Sequence, residues 1–300
     1  MVFLEEAQQT KTGAYSVSNS LRFNGADTAY LHRNQATPTN NKIFTYSVWV
    51  KRAALDGSQL LYGGYPSGSG SSINDTYMQF QSTTVHRIFL QNSISDSTDF
   101  GKRTNALYRD CSAWYHIVMA VDTTDGTIGN RIKLYTNGVQ TDWDGTYAAD
   151  DGPDEDLILN FNVATTGGNQ NQHRISNSYN PANFYIAEAV FIDGQQLTPS
   201  SFGETDEDSG IWKPKSVSGL TFGDNGWYLE FKNSAVGTGA SDTVGADTSG
   251  NDNHFTTVAF ATTDQTTDSP TNNFAVINLL WRGLSARSAP TLTEGNTTVD

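Results

Sequence analysis

Five aromatic side chains in polar stretches rich in Asn and Asp are the residues of this sequence best suited to recognise a ligand. They are Tyr62, Tyr65, Trp143, Tyr147 and Tyr179. A sugar ring offers an apolar C–H face and a rim of hydroxyls, so flat aromatic faces beside amides and carboxylates are suited to bind it. The composition predicts glycan contacts at these positions. The same aromatic residues would equally pack a long loop onto the domain or against a neighbouring subunit, and the sequence leaves these alternatives open.

Acidic residues form two groups that offer oxygen atoms to a cation. The first group is Asp150, Asp151, Asp154 and Asp156, and the second is Asp247, Asn251 and Asp252. Calcium takes several oxygen ligands, so it is the ion that such groups would select. Neither group has the ordered spacing of a calcium loop, and a solvated acidic loop is the alternative. Calcium is therefore a candidate cofactor, with the first group as its candidate site.

The sequence offers no constellation for catalysis. The 5 histidines are scattered, without the spacing of a zinc site or of a Ser-His-Asp arrangement. His116 alternates with apolar residues, which predicts a buried, hydrogen-bonded histidine. The single cysteine, Cys111, excludes an intrachain disulfide and is expected to pack as a small side chain. We therefore expect a protein that is not an enzyme and has no catalytic residues.

Charge and hydropathy restrict the partners. The 32 acidic and 18 basic residues give a formal net charge of −14, which disfavours binding to nucleic acid and to anionic membrane surfaces. No apolar stretch approaches the length needed to span a membrane. The N-terminus turns acidic after four residues (MVFLEEAQQTKT), so we expect no signal peptide.

Seven short apolar stretches that alternate with a period of two lie between residues 20 and 232, separated by Gly, Asn, Asp and Ser. This pattern predicts an all-β chain. The clearest stretch is 44–51, whose alternation predicts a half-buried strand with one face on the core. Stretches 114–121 and 184–192 are apolar on both faces, which is typical of central strands in a covered sheet.

The remaining pattern sets the domain organisation. We expect an N-terminal arm (1–19), a two-sheet antiparallel sandwich of the jelly-roll type (20–232) and an extended C-terminal segment (233–300), a candidate linker to a further domain or partner. The polar stretch 141–182 is interpreted as a functional insertion. The triplet Leu197-Thr198-Pro199 predicts one short helix over 200–203. Further strands are expected within 20–33, with a turn at Asn24-Gly25, and at 59–62, 77–81, 86–91, 131–140 and 227–232.

Five segments carry a family resemblance. They are 21–25 (LRFNG), 44–51 (FTYSVWVK), 114–118 (WYHIV), 132–138 (IKLYTNG) and 187–197 (AEAVFIDGQQL). In this order they resemble the concanavalin A-like lectin/glucanase superfamily, in its laminin G-like branch. The resemblance implies a lectin-like sandwich in which calcium can bind at a loop rim. Glycanases of this superfamily carry a Glu-x-Asp-x-x-Glu run, which this chain lacks, so catalysis by that route is not expected.

A second group of segments is similar to virion-associated proteins of tailed phages. It comprises 197–204, 210–215 (GIWKPK), 225–231 (NGWYLEF), 247–255 (DTSGNDNHF) and 268–275 (DSPTNNFA). This resemblance implies a tail-fibre, adhesin or capsid decoration subunit in the virion, with other virion proteins and a host-surface glycan as partners. The terminal segments would wrap onto partner subunits in a homo-oligomer, for which a trimer would suit a fibre. The alternatives are a polysaccharide depolymerase on the same fold and a purely architectural decoration protein.

Overall fold

The alternating stretches form strands of an all-β fold in the computed structural model, which describes residues 15–66, 75–81, 84–94, 97–145, 152–164 and 171–275 and the backbone of 292–293 and 298–299. In chain order the strands are β1 (Ser20–Phe23), β2 (Tyr30–Asn34), β3 (Ile43–Arg52), β4 (Gln59–Pro66), β5 (Thr76–Phe80), β6 (Ile88–Ile94), β7 (Ser97–Arg103), β8 (Tyr115–Asp122), β9 (Ile132–Thr136), β10 (Val139–Gln140), β11 (Asn171–Ile175), β12 (Phe184–Asp193), β13 (Gly203–Thr205), β14 (Trp212–Pro214), β15 (Trp227–Leu229), β16 (Thr256–Val258), β17 (Gln265–Thr266), β18 (Leu292–Thr293) and β19 (Thr298–Val299). The helical elements are α1 (Ile128–Arg131) and four 3-10 turns, Gly25–Asp27, Asn160–Asn162, Pro199–Ser201 and Thr262–Asp264.

Two antiparallel sheets make up the main body of the described chain. The first has the order β10-β9-β8-β3-β12-β1-β17, and β15 also pairs with β12. The second has the order β16-β2-β11-β4-β5-β6-β7. Their inner faces pack together, which confirms the predicted two-sheet antiparallel sandwich of the concanavalin A-like jelly-roll type.

Aromatic side chains fill the centre of the core between the sheets. The ring of Tyr62 on the second sheet stacks on Tyr46 of the first at 4.2 Å between centroids, and on Phe161 at 5.1 Å. Phe191 lies parallel to Trp227 at 6.0 Å. Each fully buried side chain of this size contributes about 1.5–3 kcal/mol by leaving water. The interleaved rings therefore fix how the two sheets face each other.

Strand β3 is buried on both faces, although its sequence predicts a strand with one wet face. Polar side chains on the face away from the core find partners in the protein. Thr45 Oγ1 donates to the carbonyl of Gln195 and accepts from the amide of Leu197, both at 2.8 Å. Ser47 Oγ lies 2.9 Å from Nε2 of His116. A buried polar group costs little once it is hydrogen-bonded, so the polar alternation does not require solvent on that side.

Lys51, at the end of the same face, binds the C-terminal segment. Its ammonium lies 2.8 Å from Oδ2 of Asp268 and donates to Oδ1 of Asn273 at 2.8 Å and to the carbonyl of Phe274 at 3.0 Å. The two ion-paired side chains are only 1% and 5% exposed. Trp114 Nε1 donates to the other oxygen of Asp268. Nearly all of the hydrogen-bonding capacity of the two charged groups is therefore satisfied inside the protein, which offsets the cost of removing them from water.

The C-terminal segment adds edge strands to the sandwich, whereas β18 and β19 pair with each other in a separate two-stranded sheet. Strand β16 pairs with β2 at the edge of the second sheet, and β17 pairs with β1 at the edge of the first. Phe255 is fully buried in the core against Trp227, at 4.8 Å between ring centroids. The sequence predicts an extended segment from 233 onward. These edge strands are short and lie among Thr, Asn and Asp residues, so they show no alternating apolar pattern.

The end of the predicted N-terminal arm is held by this same chain. Residues 1–14 lie outside the described part, but Val17 is buried and Tyr15 donates a 2.6 Å hydrogen bond to Oε2 of Glu188. Glu188 sits in a bulge of β12 with φ 48, and Tyr228 donates to the same oxygen. Burial raises the pKa of this carboxyl to about 6. The arm was predicted to order only on a partner, and residues 15–19 differ from that expectation.

Several local predictions differ from the structure. The stretch 20–33, predicted as strand interrupted by a turn at Asn24-Gly25, is divided between the two sheets, because β1 belongs to the first sheet and β2 to the second. The predicted helix over 200–203 is the single 3-10 turn Pro199–Ser201. The stretch 141–182, interpreted as an insertion, contains β11, an interior strand of the second sheet. Strand β11 reads NQHRI, and so few apolar residues give no strand signal.

Two buried histidines accept hydrogen bonds from tryptophans. Trp212 Nε1 donates to Nδ1 of His116 at 2.9 Å, and Trp227 Nε1 donates to Nδ1 of His173 at 2.8 Å. His173 Nε2 lies 2.7 Å from the carbonyl of Phe161. Burial lowers the pKa of His116 to about 3 and that of His173 well below its usual value, the latter with a contribution from a nearby arginine. The prediction that His116 is buried and hydrogen-bonded is confirmed.

The neutral histidines predict a loss of stability in mild acid. Because their pKa values are lower in the folded chain, the unfolded chain binds more protons below about pH 6.5, and the free energy of unfolding falls as the pH decreases. Each histidine contributes a slope of about 1.4 kcal/mol per pH unit in that window. Urea unfolding at pH 6.5 to 5 measures this slope. His116→Gln, whose side-chain oxygen can still accept from Trp212, should reduce the slope by about 1.4 kcal/mol per pH unit, the contribution of one proton. An unchanged slope would contradict a neutral, buried His116 in the folded chain.

Removing one partner of the buried ion pair should destabilise the protein more than removing both. Lys51→Met leaves the Asp268 carboxylate buried without its cation, and we expect a loss of about 3–5 kcal/mol in the free energy of unfolding. The double variant Lys51→Met/Asp268→Asn should recover much of this loss. Urea unfolding of the three proteins at pH 7 checks it. Equal losses in the single and double variants would show that packing of the lysine stem matters more than its charge.

Candidate functional site

The side of the second sheet that points away from the core, which we call the outer face, carries a continuous set of polar and aromatic side chains. Leu31 and Ile175 lie in the core, so their strand neighbours point the other way. The outer face therefore receives Tyr30, His32 and Asn34 from β2, Gln172 and Arg174 from β11, Tyr65 from β4, Tyr77 and Gln79 from β5, and Phe89 and Gln91 from β6.

The strand register aligns one row of residues across six strands of the outer face. In order from β2 to β7 the row is His32, Arg174, Gly63, Tyr77, Gln91 and Gly101. Directly opposed residues on neighbouring strands point to the same side, about 4.8 Å apart in the direction of the hydrogen bonds. The row therefore spans roughly 24 Å, which is wide enough for an extended ligand.

Arg174 occupies the row between two tyrosines. Its guanidinium carbon lies 5.6 Å from the ring centroid of Tyr30 and 5.9 Å from that of Tyr65. Its Nε and Nη2 atoms donate to Oε1 of Gln172 at 3.0 and 2.7 Å. Gln172 Nε2 in turn donates to Oδ1 of Asn34 at 3.0 Å. The contacts with both rings and the chain of amides hold the guanidinium in one orientation.

The glycine in the row makes room for Tyr65. A Cβ atom added to Gly63 would lie 2.2 Å from Cε2 of the Tyr65 ring. The ring of Tyr65 therefore lies over the backbone of its own strand, beside Arg174. On the far side of the glycine, Tyr77 packs on Phe89 with 6.2 Å between ring centroids. The outer face thus combines the half-buried rings of Tyr30, Tyr65 and Tyr77 and the buried ring of Phe89 with amide and guanidinium groups. This mixture suits a hydroxyl-rich ligand with an apolar side.

His32 is uncharged at neutral pH beside this arginine. Its pKa is lowered by burial and by the positive charge of Arg174. His32 also borders a cavity of about 250 Å³ at the β16 end of the outer face. The cavity lining is polar and includes Arg33, Asn34, Asp252, Asn253 and His254. The outer face is therefore continuous with a polar recess at one end.

The five predicted aromatic residues do not come together. Tyr65 lies on the outer face, whereas Tyr62 is fully buried in the core and presents no surface that a glycan can contact. Trp143 is half-buried beside β7, with the Lys102 ammonium 5.5 Å from its ring centroid. Tyr179 is 84% exposed and borders a separate cavity of about 540 Å³ lined by residues such as Asn24, Asp56 and Asn180. Tyr147 lies outside the described residues.

The predicted calcium ligands are only partly described. Asp150 and Asp151 lie outside the described residues, and Asp154 is exposed. Asp156 forms an exposed ion pair with Lys42 at 2.9 Å. Within the described ranges no group of three or more His, Cys, Asp and Glu side chains is arranged to hold a metal ion. Calcium at this group stays a prediction.

The second acidic group has a structural role. Asp247 accepts from the amide of Tyr228 at 2.8 Å with one oxygen and from the amide of Asn253 at 2.9 Å with the other. Asn251 donates to the carbonyls of Gly223 and Gly226 at 2.6 and 3.0 Å. These bonds hold two loops together, and those of Asp247 use both of the oxygens that it would offer to a cation.

Sequence reasoning missed most of the outer face. Arg174, His32, Tyr30 and Tyr77 were not among the predicted site residues. The available signal was the alternation of Gln172 and Arg174 with His173 and Ile175, which places two polar groups on one side of a strand. That signal identifies a face only when the neighbouring strands and their register are known.

Comparisons with known proteins agree on the fold. A family model described as the concanavalin A-like lectin/glucanases superfamily matches residues 23–194. A protein of Bacteroides ovatus described as a carbohydrate-binding protein has a TM-score of 0.50 at 11% identity; the match covers 81% of this chain and 58% of that one. No curated protein matches the chain. Among the described residues, no helix has the length and apolar character needed to cross a membrane.

Two further solved structures are similar at lower scores. Domain 4 of an extracellular GH43 arabinanase from Geobacillus stearothermophilus, in complex with arabinotriose, has a TM-score of 0.42 at 17% identity, covering 60% of this chain and 73% of that one. A native heptameric SAP-like pentraxin from Limulus polyphemus has a TM-score of 0.41 at 13% identity, covering 62% of this chain and 80% of that one.

Proposed function

This chain belongs to the concanavalin A-like lectin/glucanases superfamily, and from that premise we propose that it binds a glycan on the outer face of the second sheet. The observation that carries the proposal is the guanidinium of Arg174 held between Tyr30 and Tyr65. Sugar rings would pack on the aromatic side chains, and amides and the guanidinium would bind their hydroxyls. The protein binds the glycan without cleaving it, because the chain lacks the paired-carboxylate run of the superfamily's glycanases.

The finer role is that of a virion protein. Of the segments similar to tailed-phage virion proteins, 225–231 contributes β15 to the first sheet, and 268–275 binds Lys51 on the side of that sheet away from the core. One broad face would then serve the stability of the subunit, and the opposite face would be available to a host-surface glycan. In this proposal the chain is a tail-fibre or decoration subunit in a homo-oligomer.

Glycan binding should depend on the tyrosines of the outer face. We expect Tyr30→Ala and Tyr77→Ala each to weaken binding about tenfold or more, because an aromatic contact at the centre of an interface is worth at least about 1.4 kcal/mol. An array of capsular and algal polysaccharide fragments identifies a ligand, and isothermal titration calorimetry then compares the variants.

Tyr179→Ala is the matched control, since it removes an exposed tyrosine outside the outer face. It should leave the affinity unchanged. Loss of binding in Tyr179→Ala alone would move the site to the cavity beside that residue. Sustained release of reducing ends from a bound polysaccharide would contradict binding without cleavage and favour a depolymerase.

The virion role predicts where the chain is found. Antibodies raised against the purified protein should label intact phage particles that encode it, at a regular position on the tail or capsid. Negative-stain electron microscopy with gold-labelled antibody measures this. Labelling of the particle without glycan binding would favour a purely architectural subunit, and absence from purified particles would contradict the virion role while leaving the glycan proposal standing.

A further inference from the structure

The charge of Arg174 is not neutralised by the described part of the protein. Arg87 and Arg103, at the far end of the second sheet, share the carboxylate of Asp144 at 2.7 and 2.6 Å. By contrast, no Asp or Glu among the described residues lies within ion-pair distance of Arg174. The stretches 67–74 and 165–170, which flank β4 and β11 in the sequence, contain no acidic residue. In a chain with a net charge of −14, the middle of the outer face therefore carries a cation without an ion-pair partner among the described residues; the nearby carboxyl of Asp75 acts with Arg174 on the pKa of Tyr65.

The hydrogen bonds of Arg174 leave one edge of the guanidinium unused. A guanidinium has five N–H donors in a fixed planar fork. The edge formed by Nε and Nη2 donates to Oε1 of Gln172. The edge formed by Nη1 and Nη2 has no acceptor among the described residues. Two parallel N–H groups on one edge match the two oxygens of a carboxylate or of a sulfate ester.

The surroundings fix the direction of that edge. Tyr30 and Tyr65 lie on either side of the guanidinium, and Gln172 is itself held by Asn34. Little side-chain entropy is therefore lost when an anion binds. Because the site is half-buried, an ion pair there is screened less by water than one on an open surface. A sugar ring packed beside a tyrosine would place a charged substituent against the arginine.

We propose that the outer face selects acidic glycans, and that a carboxylate or sulfate group of the sugar pairs with the Nη1–Nη2 edge of Arg174. This inference deepens the proposed function and rests on it, because it assigns the ligand class of the same site. Carboxylated and sulfated sugars share the chemistry that the arginine recognises. Neighbouring rings of either polymer would occupy the rest of the row from His32 to Gln91.

Matched glycan pairs test the charge alone. The probes are oligogalacturonate against its fully methyl-esterified form, and sulfated against unsulfated galactan oligosaccharides. Within each pair the rings are the same and only the charge differs. We expect the protein to bind at least one acidic member about 10- to 100-fold more tightly than its neutral partner, since a hydrogen bond to a charged group is worth about that much. This affinity should fall as NaCl is raised. The pair that shows the preference identifies the source of the charge.

Variants distinguish this inference from the proposed function. Arg174→Gln should abolish the preference for the acidic member, so that the two members of a pair bind with equal affinity, weaker than that of the wild type for the neutral member. Arg174→Lys should retain only part of the preference because the fork is lost. Lys215→Gln, at an exposed lysine bonded to the carbonyl of Ser200, is the matched control and should change nothing. Equal binding within both pairs, or a ligand found only among neutral glycans, would overturn the acidic preference and leave glycan binding intact. Absence of binding to every glycan on the array would overturn both. Each variant should unfold at the same temperature as the wild type in a thermal melt, which confirms that it is folded.

Discussion

The covering of both faces of the first sheet is the constraint on which the rest of this structure depends. Its central strand β3 has a polar alternation on the side away from the core, yet Thr45, Ser47 and Lys51 are all buried. Thr45 and Lys51 find their partners in the C-terminal half, at Gln195 and Asp268. Ser47 bonds to His116 of β8, and that ring in turn accepts from Trp212 of the C-terminal half. That half of the chain is therefore part of the fold, and the proposed glycan site lies on the other sheet.

Two cations show how the same chemistry serves the two sheets differently. Lys51 on the first sheet is ion-paired with Asp268 and is removed from water. Arg174 on the second sheet is held by neutral partners, two rings and an amide, so its position is fixed while its charge remains available. A buried ion pair of the first kind is costly to break, because loss of one partner leaves the other charge buried and unpaired. An oriented but uncompensated guanidinium of the second kind is what an anionic ligand needs.

The sequence predicted the long central strands of the sandwich but did not predict which residues lie together at the site. The alternation in β3 and the two-sided apolar runs in β8 and β12 predicted the central strands, because a long buried strand has a regular pattern of apolar residues. Strand β11 has no such pattern, because its five residues are mostly polar. Tyr62 was assigned to a ligand, although a register shift between Leu60 and Tyr62 accompanies its inward position. A bulge of this kind reverses which face a side chain meets, and local sequence does not encode it.

A site built on strands also sets how such a protein would gain affinity. The row from His32 to Gly101 is held by ladder hydrogen bonds, so its side chains need little reorganisation when a ligand binds. A shallow face of this type buries less of a ligand than a closed pocket does, and single contacts are correspondingly weak. Linking several copies makes later contacts with a repeating polymer intramolecular, so the overall affinity exceeds that of one site by about 10²- to 10⁴-fold where the geometry permits. The proposed homo-oligomer would therefore bind a repetitive glycan surface tightly, although each of its rigid, shallow sites binds weakly.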